Sequence, residues 1–335
     1  MTDSGAKMKT IEGVLDRYGA KINNAIQEWV DKISIPFLAD PLRYHLSSGG
    51  KRIRPALCLY ICEQLGGDLQ RAIPFAMAVE LLHNMFLLHD DIEDGDTVRR
   101  NEPTAWVKYG VPNAINAGDY LLAFAQNLAC SGDLSSDIRL RLANMLSDTA
   151  SRTIEGQALD INQRAEPGFA VEDYMQIARL KTGRYLVLGP AGGAVIAGAT
   201  HEVIEKLWLL GENMGPAFQI RDDIIDLTQG KGRGGEIGCD IRESKPSILY
   251  AYALSHCEDK ERQELVRLFR KPREEKTEQD VAWVIDLYNR YNILKTAQTK
   301  ADKLVDEAVS VADSIPVLDR DVFRDVVAYM AQRTK

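Results

Sequence analysis

Residues 71–94, RAIPFAMAVELLHNMFLLHDDIED, are apolar on nearly every side until the aspartates begin. A helix of that kind belongs at the centre of a bundle, with other helices around it. Segments 137–163, 172–187, 201–227 and 278–310 repeat apolar residues every three or four positions, which is the spacing of one buried helical face. Strand signals are scarce, with no clean alternating runs and no Asn-Gly hairpins. Breaks fall at 47–50, 95–103, 110–113, 131–136, 164–170, 228–239 and 271–277. None of them reads as an interdomain linker. The expectation is an all-α fold, one large helical bundle over residues 1–335. With 45% hydrophobic residues, a chain of this length can fill such a core.

The formal net charge of −8 argues against a nucleic-acid binder, which normally carries a basic excess. The five cysteines, Cys58, Cys62, Cys130, Cys239 and Cys257, are odd in number and scattered. They read as reduced thiols in a cytoplasmic protein. No apolar leader opens the chain. The longest uncharged stretch, 185–200, carries Pro190 and several glycines and is shorter than the roughly 20 residues that cross a bilayer. No transmembrane segment is expected.

Two segments echo each other: LLHDDIED at 87–94 and QIRDDIID at 219–226. Each contains Asp-Asp-x-x-Asp: Asp90, Asp91 and Asp94, then Asp222, Asp223 and Asp226. In a helix, positions four apart share a face. Both motifs sit at the end of an apolar helix, where the macrodipole disfavours negative charge. Acids crowded in an unfavourable place invite a cation, and oxygen ligands at this density suit Mg²⁺ bridging to phosphates. A solvated acidic patch is the plainer reading of one motif, but two copies make it the weaker one.

Cations accompany the acids. Lys51, Arg52 and Arg54 follow Gly49-Gly50, Arg99 and Arg100 follow the first motif, Lys181 and Arg184 flank Thr182-Gly183, and Lys231 and Lys245 bracket a glycine-rich stretch. Singly, each is a solvated charge run; together they suit diphosphate. His83 lies seven residues before Asp90, two turns down one face. His45, His89, His201 and His256 read as ordinary packing or surface residues. Glu80-x-x-His83 is half of a di-iron bundle signature without its partner. Gly230-x-Gly232-x-x-Gly235 lacks the preceding strand that a dinucleotide fingerprint needs.

GGKRIRP (49–55), LLHDDIEDGDTVRRNEPT (87–104), KTG (181–183) and FQIRDDIID (218–226) resemble the signature blocks of the trans-polyprenyl diphosphate synthases, in order and spacing over about residues 40–250. The resemblance implies a homodimer of the isoprenoid synthase type, each bundle with a central cavity. It also implies Mg²⁺ ions, three to an active site, held by Asp90, Asp94 and Asp222 with Asp91, Asp223 and Asp226 in support. Arg99 and Lys181 would contact an allylic diphosphate, and Lys51, Arg54, His83 and Arg100 isopentenyl diphosphate. Thr182, Gln219 and the Lys181 carbonyl would face the allylic carbon. Lys245 joins the substrate-binding set.

Two departures stand out. Gly235-Glu236 replaces the usual Gly-Lys pair, with Lys231 or Arg233 as substitutes, and Asn101-Glu102 replaces another. Leu82, Met85 and Phe86, beneath the first motif, would set product length, and one aromatic beside one methionine favours geranylgeranyl diphosphate over farnesyl or longer products. A class I terpene cyclase would not need GGKRIRP, and a non-catalytic prenyltransferase subunit commonly loses acids that are all present here.

Overall fold

A computed structural model describes residues 10–228, 237–315 and 319–331. They are almost entirely helical, and the chain divides into two compact units. One comprises Met1–Ala150, Leu186–Leu210 and Val309–Val326; the other comprises Ser151–Tyr185, Gly211–Ala308 and Val327–Lys335. Every division falls inside a helix rather than in a linker.

The first unit is built on the helix Leu69–Glu93. Asp68 starts it by accepting a hydrogen bond from the Gln70 amide, 2.8 Å away, an ordinary N-cap. Being apolar all round, it is buried almost continuously from Phe75 to Leu82. It is the one helix among the described residues long and apolar enough to cross a membrane, but 67% of its apolar window is buried inside the protein. Ile11–Val30, Ile53–Gln64 and Val111–Ala129 pack around it. The last presents Ala114, Ala117, Gly118, Leu121 and Ala125, so the backbones come close; a Cβ on Gly118 would collide with the His89 ring. The uncharged stretch 185–200 has the same logic. Its Gly189 and Gly193 lie against the carbonyls of Arg54 and Cys58, and Gly192 against the ring of Phe75. Those glycines serve helix-to-helix contact.

One short hairpin accompanies the helices. Val98–Arg99 pairs antiparallel with Glu102–Pro103. Arg100 (φ 54°) and Asn101 (φ 65°) form its two-residue turn, the left-handed pair that matches strand twist. Tyr44 Oη anchors the hairpin by donating to the Pro103 carbonyl at 2.7 Å.

In the second unit, Phe169, Tyr250 and Phe269 stack through a core that includes Ile248, Leu265, Val284, Leu287 and Ala297. Two segments read as continuous helices are interrupted. Region 278–310 is two helices, Glu278–Arg290 and Ile293–Asp313, broken where Asn292 adopts φ 54°. Region 172–187 holds Val171–Ala178, then a π-helical turn Arg179–Gly183, before Arg184–Ile196 begins. None of the five cysteines forms a disulfide, and all but Cys130 are buried.

Candidate active site

In the first unit, the helix Leu69–Glu93 loses its full burial along one stripe. His83, Phe86, Leu87, Asp90 and Asp94 are half-buried, at spacings of three and four residues, whereas Leu82, Met85 and Asp91 stay buried. Asp90 and Asp94 therefore share an accessible face one turn apart. Asp91, 1% exposed, points inward and is gripped by Arg99, with guanidinium nitrogens 2.7 Å from Oδ1. Burial alone would lower the Arg99 pKa, but the hydrogen bond to Asp91 and the charges of Asp91, Asp90 and Asp96 raise it. Beyond the motif, the Asp96 carbonyl accepts from Thr104 Oγ1 (2.8 Å) and Trp106 Nε1 (2.7 Å), which ties down the loop carrying Arg99.

Two arginines, Arg52 and Arg100, converge on the Gly49-Gly50 loop. Arg100 Nη1 donates to the Gly49 carbonyl and to Ser48 Oγ. A Cβ on Gly50 (φ 142°) would lie 2.9 Å from Arg52 Nη1 and 3.3 Å from Arg100 Nη2, so only glycine leaves room for both. Lys51 is exposed and Arg54 half-buried. Asn101 occupies the left-handed position where the family usually has glycine; asparagine tolerates it. His83 lies in the field of this cluster. Burial first, then Arg54, Arg100, Arg99 and His45, hold its pKa well below the usual imidazole value. His45 is buried and pushed down to about 3 by burial, then by Arg99 and Arg100, against the opposing effect of Asn84. The sequence suggested nothing special for His45; its placement beside the arginines is a tertiary fact.

This neutral histidine has a measurable consequence. Its folded-state pKa lies below the unfolded value, so the unfolded chain binds the extra proton between about pH 3 and 6.5. The stabilisation is complete above that window and is lost as pH falls through it. Thermal melts from pH 7.5 down to 4.5 are expected to decline more steeply for the wild type than for His45→Gln.

In the second unit, the three aspartates divide in the same way. Asp222 is half-buried, as is Gln219 one turn before it. Asp223 Oδ2 accepts the Ile248 amide at 3.1 Å, capping the helix Ile248–His256, and Asp226, 0% exposed, accepts the Asp240 amide at 3.1 Å. Tyr174, against Asp223, has its pKa raised by burial and then by that carboxylate.

The KTG block forms the π turn. A Cβ on Gly156 would lie 2.6 Å from the Lys181 amide nitrogen, and one on Gly215 would lie 2.6 Å from Gly183. The turn is thus pressed between the helices Ser136–Asn162 and His201–Thr228 at backbone distance. Short π segments of this kind recur at functional sites. Lys181 Nζ donates to Asp160 Oδ2 at 2.9 Å, while Thr182 is buried. Asp160, one turn beyond Gly156, was not singled out from sequence, where it looks like any helical acid. Lys245 Nζ lies 3.1 Å from Glu243 Oε2 and 3.7 Å from Asp240 Oδ1. The turn before it, Ser244 at φ 57°, is held by buried Lys276, which donates to the Arg242 carbonyl and Ser244 Oγ. Desolvation lowers the Lys276 pKa to about 8. Lys231, Arg233 and Glu236 lie outside the described residues.

Among the described residues, no three His, Cys, Asp or Glu side chains form a ready-made metal cage. Mg²⁺ asks for less: it keeps several waters and takes one or two carboxylates with substrate phosphate oxygens. In the first unit, Asp90 and Asp94, accessible one turn apart, are hard oxygen donors that fit such an ion, and in the second unit Asp222 is a donor of the same kind.

Paired aspartate motifs, an arginine cluster with neutral histidines, and a π turn carrying Lys-Thr-Gly on an all-α fold define the class. The chain belongs to the polyprenyl synthetase family, which it matches over residues 35–288, beyond the signature blocks. It is 31% identical to a short chain isoprenyl diphosphate synthase of Methanothermobacter thermautotrophicus, over 97% of this chain and 98% of that one. Its identity to a geranylgeranyl diphosphate synthase of Saccharolobus solfataricus is 35%, over 87% and 88%. Geranylgeranyl pyrophosphate synthetase from Pyrococcus horikoshii Ot3 matches with a TM-score of 0.86 and 30% identity, over 96% of this chain and 99% of that one. The fold is accordingly the isoprenoid synthase fold.

Proposed function

We propose that this protein is a Mg²⁺-dependent, homodimeric prenyl transferase that condenses isopentenyl diphosphate with an allylic diphosphate, giving geranylgeranyl diphosphate. The observation that carries the reading is the matched division of the two motifs: Asp90, Asp94 and Asp222 reach the surface, while Asp91, Asp223 and Asp226 are buried. The first three would hold Mg²⁺, three ions to a site, which would supply positive charge to the departing diphosphate. The buried three fix the backbone that aims them.

The remaining roles follow from charge and placement. Arg99 and Lys181 bind the allylic diphosphate, with Lys245 assisting. For Lys181 this means exchanging Asp160 for phosphate oxygens. Lys51, Arg54 and Arg100 grip isopentenyl diphosphate, and neutral His83 adds a hydrogen-bond donor without adding like charge to the arginines. Thr182 Oγ1, Gln219 and the Lys181 carbonyl turn oxygen dipoles toward the carbon where positive charge develops. The five unbridged cysteines favour a reducing compartment such as the cytoplasm.

Two relatives bear the geranylgeranyl name, and the accessible stripe supports that product. Phe86 lies on the stripe, one turn below Asp90, whereas Met85 and Leu82 are packed in the core. Phe86→Ala is therefore expected to shift products beyond geranylgeranyl diphosphate. Met85→Ala should leave their length unchanged and lower stability by about 2–5 kcal/mol. Chromatography of dephosphorylated products, with thermal melts, checks both.

The test of the reading itself is incubation of purified protein with Mg²⁺, isopentenyl diphosphate and dimethylallyl, geranyl or farnesyl diphosphate in turn. Linear products are expected. Failure to elongate any primer would sink the proposal, and cyclic hydrocarbon would replace it with a cyclase.

A further inference from the structure

We propose that Arg52 and Glu80 are positioning residues: a buried ion pair that sets the isopentenyl diphosphate pocket without touching substrate. The proposal rests on the assignment of Lys51, Arg54, His83 and Arg100 to that pocket.

By sequence, Arg52 is one of three interchangeable cations in GGKRIRP. In the structure it is turned inward, 7% exposed, and its donors are spoken for inside the protein. Nη1 donates to Glu80 Oε1 at 2.6 Å, Nε to Asn23 Oδ1 at 2.8 Å, and Nη2 to the Leu46 carbonyl at 3.1 Å. Glu80, 3% exposed, is further held by Asn84 Nδ2, which donates to its carbonyl at 2.8 Å and its Oε1 at 3.1 Å. Glu80 lies one turn before His83 on the helix Leu69–Glu93. One carboxylate thus links the helix that carries His83 to the loop that carries Lys51 and, just beyond it, to the start of the helix that carries Arg54.

The backbone shows what the link does. Arg52 precedes the helix Ile53–Gln64 at φ 52°, a left-handed conformation costly for a side chain with a Cβ. An anchored guanidinium can hold that turn. With Arg52 inward, the next position outward is Lys51, exposed, and the first helical turn carries Arg54, half-buried. Gly50 then lies between the guanidiniums of Arg52 and Arg100, so the same anchor bounds where Arg100 sits. Glu80 also neutralises Arg52, whose charge would otherwise repel Arg100. Buried ion pairs seldom stabilise more than apolar residues of the same volume, and fixing one geometry is the use they are best suited to.

The test separates geometry from stability. Steady-state rates are measured against isopentenyl diphosphate at saturating primer, and against primer at saturating isopentenyl diphosphate. Glu80→Gln, and Arg52→Lys, which keeps the charge but loses the fork, are each expected to raise KM for isopentenyl diphosphate roughly tenfold or more, leaving KM for the primer unchanged. The double variant Arg52→Met/Glu80→Leu should melt near the wild type yet keep the raised KM. Calorimetric titration with inorganic pyrophosphate in chelator, where protein cations alone offer charge, should show the same loss of affinity. Recovery of KM along with stability in the double variant, or an equal rise in both KM values, overturns the proposal. If the wild type elongates nothing, the functional assignment fails, and unchanged pyrophosphate affinity in the variants would separately reject the positioning role.

Discussion

Asp90→Asn is expected to slow condensation by about a thousandfold with little change in stability. The two effects come from the same placement. Asp90 lies in the last turn of a helix, where the macrodipole opposes negative charge, and shares a face with Asp94, a like charge four residues on. Removing one charge relieves both strains by a few tenths of a kcal/mol, which offsets the lost attraction to Arg99. The side chain is half-buried on the open stripe, so an isosteric amide leaves the packing intact. On the proposed reading, a weak metal ligand would then stand in place of a strong one. Single-turnover rates together with thermal melts check the pair of effects; a slow variant that also melts early would mean Asp90 is structural.

Arg99→Met should do the reverse and be felt first in stability. It leaves the Asp91 carboxylate, 1% exposed, without the guanidinium 2.7 Å away. Breaking one side of a buried pair costs about 3–5 kcal/mol; Arg99 is itself partly accessible, which places the expectation near the lower end, about 3 kcal/mol. Urea unfolding at neutral pH reads this directly. Arg99→Lys should recover part of the stability and less of the affinity for allylic diphosphate, because an ammonium cannot make the two-nitrogen contact. Affinity falling with no loss of stability would mean that Asp91 is held by something other than Arg99.

Much of this was legible in the chain. Asp-Asp-x-x-Asp twice, each at the end of an apolar helix, fixes the chemistry, because spacing and residue type decide which oxygens can share a face. Helical spacing alone could not sort the six acids into accessible and buried sets, since Asp222 and Asp226 share a face; the family resemblance set Asp90, Asp94 and Asp222 apart, and the packing of Asp226 against the Asp240 amide gives the physical reason for the last of these. Arg52 deceived for the same reason, since charge in a string of letters looks solvated until its partner, Glu80, is known. The π turn was invisible because Gly156 and Gly215, which press on it, are distant in sequence. The hairpin at 98–103 escaped because Arg100 is a poor left-handed residue, and only the pinned loop around it makes the turn worthwhile. Lys231, Arg233 and Glu236 retain the standing the sequence gives them, a departure from the family in the segment after the second motif.

The stripe of half-buried residues on the helix Leu69–Glu93 also bears on how such an enzyme can change. From Phe75 to Leu82 the helix is buried on every side, so most substitutions there trade away stability before they alter function. Along the stripe, His83, Phe86 with Leu87, and Asp90 are spaced by single turns, each about 5.4 Å long, close to the reach of one more prenyl unit. Under the proposed function, the helix edge would work as a ruler: it would tie the diphosphate at Asp90 and mark the tail's permitted length lower down. Evolution can move the mark one notch with a single side chain, while the rest of the ruler stays rigid because the protein's core is built on it.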